Sequence, residues 1–334
     1  MLYQPPFQLT NRMTTLVANI AELIGMWKAV NQNTLVPELR RGNRIRTIQA
    51  SLAVEQNTLT LEQVTAVLDG KTVLGSPREI QEVQNAFKAY EAMSEWQPHN
   101  LQNLVQAHGI LMRGLAEDAG QLRSSGVGIY RGDQLVHMAP PASQLSRLMV
   151  DLLNWLKNTD THPLIASAAF HYEFEFIHPF SDGNGRMGRL WQTLIISKWQ
   201  PLLAYLPVET VIKHRQQEYY RLLGEADAKS DSSSFIEFLL EAIENSLQEA
   251  IKQQPDTQKT RVKTQDKTRV KIKERTPEQI LQLLKAQPEL TLAEVAQAIG
   301  RSTSAVERAV AKLKQQNKLS YHGAKKSGYW QVHE

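Results

Sequence analysis

Cysteine is absent from the 334 residues. That removes disulfide scaffolds, thiol nucleophiles, iron–sulfur ligation and cysteine-zinc sites together, so any catalysis falls to other side chains. Long apolar runs are missing too. The best candidate, residues 190–208, is interrupted by Lys198 and Pro201 and carries Gln192 and Gln200, which marks a buried helix followed by a break and not a membrane span. The first residues, MLYQPPFQLTNRM, show neither a basic start feeding an apolar run nor a small-residue cleavage site, so a cytoplasmic protein without a cleaved signal is expected. There is little excess of either charge, since 38 Lys and Arg face 34 Asp and Glu. Their distribution is uneven: residues 259–334 carry 16 basic against 7 acidic side chains, and the remainder 22 against 27. An acidic body with a basic tail suggests a tail that meets an anionic partner, nucleic acid first among them. A solvated basic linker gives the same arithmetic.

What is present reads as mainly helical. Thr60 with Gln63, Ser76 with Glu79, Thr276 with Gln279 and Thr291 with Glu294 have the spacing of capping boxes, in which hydroxyl and carboxyl or amide satisfy free amide protons reciprocally. Leu16, Ile20, Leu23 and Trp27 follow the helical period, as do Leu148, Leu152, Trp155 and Leu156. GVGIYRGDQLVHM, residues 126–138, departs from it, with β-prone residues on both sides of Gly132-Asp133, and predicts a short hairpin.

The length suggests two or three domains. Between residues 252 and 275 the apolar period collapses and KTRVK occurs twice, at 259–263 and 267–271, which reads as a linker. Three capped helical patterns follow, then KLSYHGAKKSGYWQV, alternating around a turn like a two-stranded wing. This resembles a winged helix. Its third helix would offer Arg301, Ser302, Thr303, Ser304 and Arg308 to a major groove, and Lys325 and Lys326 to phosphates. Residues 277–334 hold only 8 basic against 5 acidic side chains, so a protein-docking module is the competing reading.

The chemistry concentrates in HPFSDGNGRMGR, His178 to Arg189. Gly183, Asn184 and Gly185 precede an apolar helical run, so their amides can point into an anion. Arg186 and Arg189, three apart on that helix, can fork onto further phosphate oxygens. Asp182 stands where a carboxylate can hold magnesium that also bridges phosphates. His178 can accept a hydroxyl proton near neutral pH, and Phe180 reads as an inward anchor. With no obvious covalent nucleophile in the segment, in-line transfer to an acceptor hydroxyl is the economical mechanism. A rival pattern is His171, Glu175 and His178 on one helical face, the half of a di-metal site. It needs a second Glu-x-x-His pair that the sequence does not show, so His171 is expected to be a packing or capping residue.

The segment matches every fixed position of the Fic family motif, His-Pro-Phe-x-Asp/Glu-Gly-Asn-Gly-Arg-x-x-Arg, and the chain resembles that family over roughly residues 100–248. The resemblance implies AMP transfer from magnesium-ATP to a Ser, Thr or Tyr hydroxyl of a target protein, with self-modification. His178 would be the base and Asp182 the metal ligand, while Gly183, Asn184, Gly185, Arg186, Met187, Gly188 and Arg189 form the phosphate cradle. The hairpin would be a target-docking flap with Ile129, Tyr130, Leu135 and Val136. Tyr219-Tyr220 resembles a tyrosine pair that borders the adenine, with Asp227 where an Asn is often found. Upstream, Ser51 to Asn57, SLAVEQN, resembles an inhibitory helix, departing from it at Gln56, where Gly or Asn is expected. There Glu55 would pair with Arg189, bidentately, and deny the γ-phosphate its productive place.

The expected fold is therefore a Fic helical core with a hairpin flap plus a C-terminal winged helix-turn-helix. Residues 1–97 form an N-terminal helical region carrying the 51–57 motif, 98–248 the catalytic domain, 249–275 a linker and 276–334 the winged helix. Expected partners are ATP, a target protein and duplex DNA, with no membrane and with self-association left open. De-AMPylation on the same site, transfer of another group, and a DNA-binding regulator that senses nucleotide are the competing functions.

Overall fold

In the computed structural model the described residues are 3–30, 37–131, 134–252, 276–299, 302–322 and 329–333. The chain forms two compact units, Met1–Thr257 and Gln258–Glu334. In the first, helices α1 (Asn11–Val30), α2 (Pro37–Val54), α3 (Leu61–Leu68), α4 (Pro77–Ala92) and α5 (Leu101–Leu111) precede strands β1 (Gly128–Arg131) and β2 (Gln134–Met138). Helices α6 (Leu145–Asn158), α7 (Pro163–Ile177), α8 (Asn184–Trp199), α9 (Val208–His214), α10 (Gln216–Lys229) and α11 (Ser233–Lys252) follow. The capping boxes at Thr60 and Ser76 both form, and Pro77 sits in the first turn of α4, where its missing donor costs nothing.

The core is built around α7 and α8. Residues 164–174 of α7 are all buried, as are Arg186 to Ile196 of α8, so both helices are enclosed on every side and neither reads as amphipathic. α1 and α7 pack along α11, α2 lies against α4 and α9, and α5 and α6 flank the central pair. The sequence between α7 and α8 is therefore held at both ends by buried helices, which fixes the loop that carries the HPFSDGNGR segment.

β1 and β2 form an antiparallel hairpin with a register shift between Ile129 and Tyr130. Its turn, Gly132-Asp133, lies outside the described residues, as do the side chains of Tyr130, Leu135 and Val136. No helix among the described residues is long and apolar enough to cross a membrane.

The second unit contains α12 (Thr276–Ala286), α13 (Leu292–Ala298), α14 (Thr303–Gln315) and the antiparallel pair β3 (Leu319–His322) and β4 (Tyr329–Val332). It has its own core of Ile280, Leu284, Val295, Val306, Val310, Leu313, Leu319 and Trp330. The Thr291–Glu294 capping box forms. The KTRVK repeats, Arg301, Lys325 and Lys326 lie outside the described residues, as does the side chain expected to cap at Thr276.

Candidate active site

α7 ends at His178, which takes a left-handed backbone (φ 50°). A non-glycine residue rarely adopts that conformation without outside support, and here the support is Arg123. Its guanidinium is buried and donates to the carbonyls of His178 (2.7 Å), Ser125 (2.7 Å), Pro140 (2.6 Å) and Ile177 (3.3 Å). One side chain thus ties the His178 turn to both ends of the hairpin. The His178 ring faces the Glu175 carbonyl through Nδ1 at 3.3 Å. A carbonyl only accepts, so Nδ1 carries the proton and Nε2 keeps its lone pair. Burial pushes the His178 pKa down to about 4, which keeps the ring neutral and able to accept a proton at neutral pH.

The loop beyond His178 is equally constrained. Phe180 is fully buried and stacks on His108 at 3.7 Å between ring centroids. His108 Nδ1 accepts from the Gly120 amide, so its Nε2 donates to the Asp182 carbonyl at 3.0 Å. Asn184 turns its amide back onto the Phe180 backbone, bonding both N and O. Gly183 then starts α8 in the left-handed region (φ 83°) with no side chain capping it, leaving the first amides of α8 for a ligand. A Cβ at Gly183 would stand 2.6 Å from Met112 Sδ. Gly183→Ala is expected to lower stability by about 1–2 kcal/mol through its left-handed backbone alone. A urea midpoint unchanged from wild type would show that the turn relaxes instead.

Arg186 and Arg189 are both buried on α8. Arg186 Nη2 lies 2.9 Å from Asp182 Oδ1, and its Nη1 3.2 Å from Glu82 Oε1. Arg189 donates from Nε to Ser51 Oγ (3.0 Å) and from Nη2 to Ser51 O (3.0 Å) and Glu55 Oε1 (2.7 Å). The Glu55 contact is therefore made through one oxygen and not as a fork, because Ser51 takes part of the guanidinium. Arg189 Nη1 is buried without a partner among the described residues. Gly185 makes this arrangement possible: a Cβ there would lie 2.3 Å from Glu55 Oε1. Gln56, which follows Glu55, takes φ 69°, the conformation for which Gly or Asn is the cheaper residue. Asn57 closes the end of α2 with its own amide, which donates to Leu52 O at 3.1 Å, and its side-chain oxygen accepts the Leu59 amide in the turn that follows.

Not every candidate meets at this point. Met187 is fully buried, and Gly188 packs against Glu175 and His171. Tyr219 is buried with its hydroxyl on His171 Nε2 at 2.9 Å, and Gln192 Oε1 takes His171 Nδ1 at 2.7 Å, so His171 is a core residue. Tyr220 is half-buried and donates to Val54 O at the end of α2 (3.2 Å). Asp227 accepts from Tyr172 (3.0 Å) and faces His137 Nδ1 (2.7 Å), whose Nε2 faces Phe176 O (2.9 Å). Both His137 nitrogens thus meet acceptors. Burial opposes its charge, yet Asp227 and the carbonyl hold its pKa above the ordinary value, and this latches β2 to α10 and α7. Arg123, His108 and Glu82 escaped the sequence reading because each works across 50 or more residues of chain, with no local pattern to betray it.

Asp182 is a half-exposed carboxylate, and among the described residues no group of three His, Asp or Glu could hold a metal by itself. Magnesium takes one or two carboxylates and completes its shell with substrate phosphates and water. Asp182, a carboxylate next to the helix N-terminus of α8, where phosphate oxygens could sit, fits that habit.

The Fic/DOC family model matches residues 98–196, the part of the chain that holds this loop. A Fic family protein from Desulfovibrio desulfuricans G20, known from its crystal structure, is 49% identical. The alignment covers 99% of this chain and 98% of that one, with a TM-score of 0.74. The chain belongs to the Fic family. Fic-1 of Caenorhabditis elegans, residues 134–508, shares the fold at 23% identity and a TM-score of 0.57, with 72% of each chain covered. Protein adenylyltransferase Fic of Nematostella vectensis is 27% identical over 212 residues, 60% of this Fic chain and 47% of the relative. That of Aedes aegypti is 30% identical over 215 residues, 61% of this chain and 41% of the relative. This Fic chain spans about half the length of the curated relatives it matches. A second model, winged helix-turn-helix DNA-binding, matches residues 273–319.

Proposed function

We propose that this Fic protein transfers AMP from ATP to a hydroxyl of a target protein and that Glu55 restrains the transfer. The observation that carries the reading is the His178 imidazole, its Nδ1 on the Glu175 carbonyl and its Nε2 without a partner among the described residues, on a loop leading directly into an uncapped helix N-terminus flanked by two buried arginines. His178 takes the proton of the incoming hydroxyl as its oxygen attacks the α-phosphorus, and pyrophosphate leaves in line. The first amides of α8, with Arg186, hold phosphate oxygens as charge develops on them. Asp182 would hold magnesium, which when bound with the nucleotide neutralises phosphate charge. Arg189, occupied by Glu55, is the clamp meant for the γ-phosphate. The hairpin lies beside His178 through Arg123 and His137, where a target segment can add to its edge. Intact-mass measurement with magnesium-ATP and lysate tests the reading. A mass increase of one AMP on this chain or on a target supports transfer, whereas loss of AMP from a modified protein supports the hydrolase instead.

The winged helix unit is read as a duplex DNA binder. The exposed Ser302, Thr303, Ser304 and Arg308 stand at the start of α14, the helix that would enter a groove. Full-length protein is expected to bind duplex DNA with an affinity that falls roughly a hundredfold between 50 and 200 mM salt, as about four phosphate contacts imply. No affinity at the lower salt would favour the protein-docking alternative. Transfer should survive removal of residues 276–334.

A further inference from the structure

Four charged side chains at the mouth of the cradle close into a ring of alternating sign. Glu82 Oε1 lies 3.2 Å from Arg186 Nη1, and Arg186 Nη2 lies 2.9 Å from Asp182 Oδ1. Asp182 Oδ2 then lies 3.3 Å from Arg78 Nη2, and Arg78 Nε returns to Glu82 Oε1 at 3.8 Å. Two corners, Arg78 and Asp182, are about half exposed, whereas Glu82 and Arg186 are buried. The buried edge of the ring is the stiff one, because neither of its partners can turn to water.

Glu82 also belongs to a second network. Its other oxygen, Oε2, accepts from Asn57 Nδ2 at 2.8 Å. Asn57 is buried two residues beyond Glu55, its amide donates to Leu52 O at 3.1 Å, and its side-chain oxygen accepts the Leu59 amide. Glu79, one turn earlier on α4, takes the Thr58 amide and hydroxyl at 2.6 and 2.7 Å. One carboxylate on α4 therefore holds the first arginine of the phosphate cradle with one oxygen and the end of the Glu55 helix with the other.

We propose that Glu82 is a positioning residue that holds Arg186 in the cradle and links the state of the cradle to the seating of the helix that carries Glu55. This rests on the functional reading above and deepens it. A phosphate on Arg186 competes with Asp182 and Glu82 for the same guanidinium. A buried carboxylate that loses its cation is costly unless its surroundings open to water, and the element bound to its other oxygen is the end of α2. Nucleotide in the cradle thereby loosens the helix whose Glu55 restrains the reaction, and a loosened helix in turn raises nucleotide affinity by the same factor, since such coupling is reciprocal.

The test is Glu82→Gln, which keeps the shape and an oxygen for Asn57 but removes the charge facing Arg186. In the Glu55→Gly background, Glu82→Gln is expected to lower KM for magnesium-ATP on the order of tenfold with kcat within about twofold, the size of one charge-assisted hydrogen bond that no longer competes with phosphate for Arg186. In the protein with Glu55 intact, amide exchange at residues 51–57 should quicken about tenfold on Glu82→Gln, and magnesium-ATP should quicken it in wild type but not further in the variant. A merely structural Glu82 would lower the melting temperature and the active fraction and leave KM unchanged. That result, or exchange at 51–57 indifferent to both the substitution and the nucleotide, overturns the proposal. Should Glu55→Gly protein transfer no AMP, the functional reading fails on its own. The ATP Kd from calorimetry and the exchange data still judge Glu82, because neither needs turnover.

Discussion

His178→Ala is expected to lower AMP transfer on the order of a thousandfold while leaving ATP affinity within about threefold. The contribution of a positioned general base sets the first figure. The second follows because Arg186, Arg189 and the amides of α8 are held by other contacts: Arg186 by Glu82 and Asp182, Arg189 by Ser51. The left-handed turn survives as well, since Arg123 grips it through backbone carbonyls and not through the ring. A base at His178 would work as the neutral imidazole, and burial holds its pKa near 4, so protonation should remove activity only as pH falls through that value. On this limb kcat should be level from pH 6 to 8 and decline below about pH 5. Rates of self-modification by intact mass check both, and substantial transfer by well-folded His178→Ala protein would take the histidine out of the base role.

Glu55→Gly should raise transfer on the order of a hundredfold, the scale expected when reacting atoms displaced by about 1 Å are brought into line. ATP affinity should change far less. Removing the carboxylate takes one acceptor from Arg189 Nη2, while Ser51 continues to hold Nε through its hydroxyl and Nη2 through its carbonyl, so the guanidinium stays beside the space Glu55 leaves. Gly185 leaves that space open, having no side chain to refill it. The same change strips a buried cation of its counter-charge and should cost about 1–3 kcal/mol of stability, so the activated variant is expected to melt earlier than wild type. Radiolabel incorporation from ATP, read beside a denaturation curve, measures both. A variant no more active than wild type would remove the restraint from Glu55 and leave the transferase reading in place.

Local chemistry carried much of this into the sequence. The capping boxes at Thr60, Ser76 and Thr291 need only residues three apart, and all three form. The hairpin over 128–138 is likewise a matter of neighbours, as is the run of glycines that opens α8. The Glu55–Arg189 contact was legible only through the resemblance, because 134 positions separate the pair. What stayed hidden are the supports: Arg123 in a loop of no pattern, His108 on an ordinary helix, Glu82 on a polar one. Each acts on backbone or on a distant charge, and neither period nor spacing encodes a partner 55 to 104 residues away. Gln56 shows the opposite case, where an unexpected residue stands in a left-handed position and the backbone amide of its neighbour Asn57 closes the helix onto Leu52 O.

The Arg123 guanidinium has a mechanical meaning beyond holding a turn. Its four acceptors come from Ser125 ahead of β1, Pro140 behind β2, and the last residues of α7. A rigid planar fork cannot release one of these while keeping good geometry to the rest, so the root of the hairpin and the imidazole's backbone form one cooperative unit. A peptide strand laid along the hairpin edge would damp the motion of that whole unit. Engagement of the acceptor segment and steadiness of the imidazole would then become a single event, and a loosely docked hydroxyl would meet a ring that is itself less well aimed.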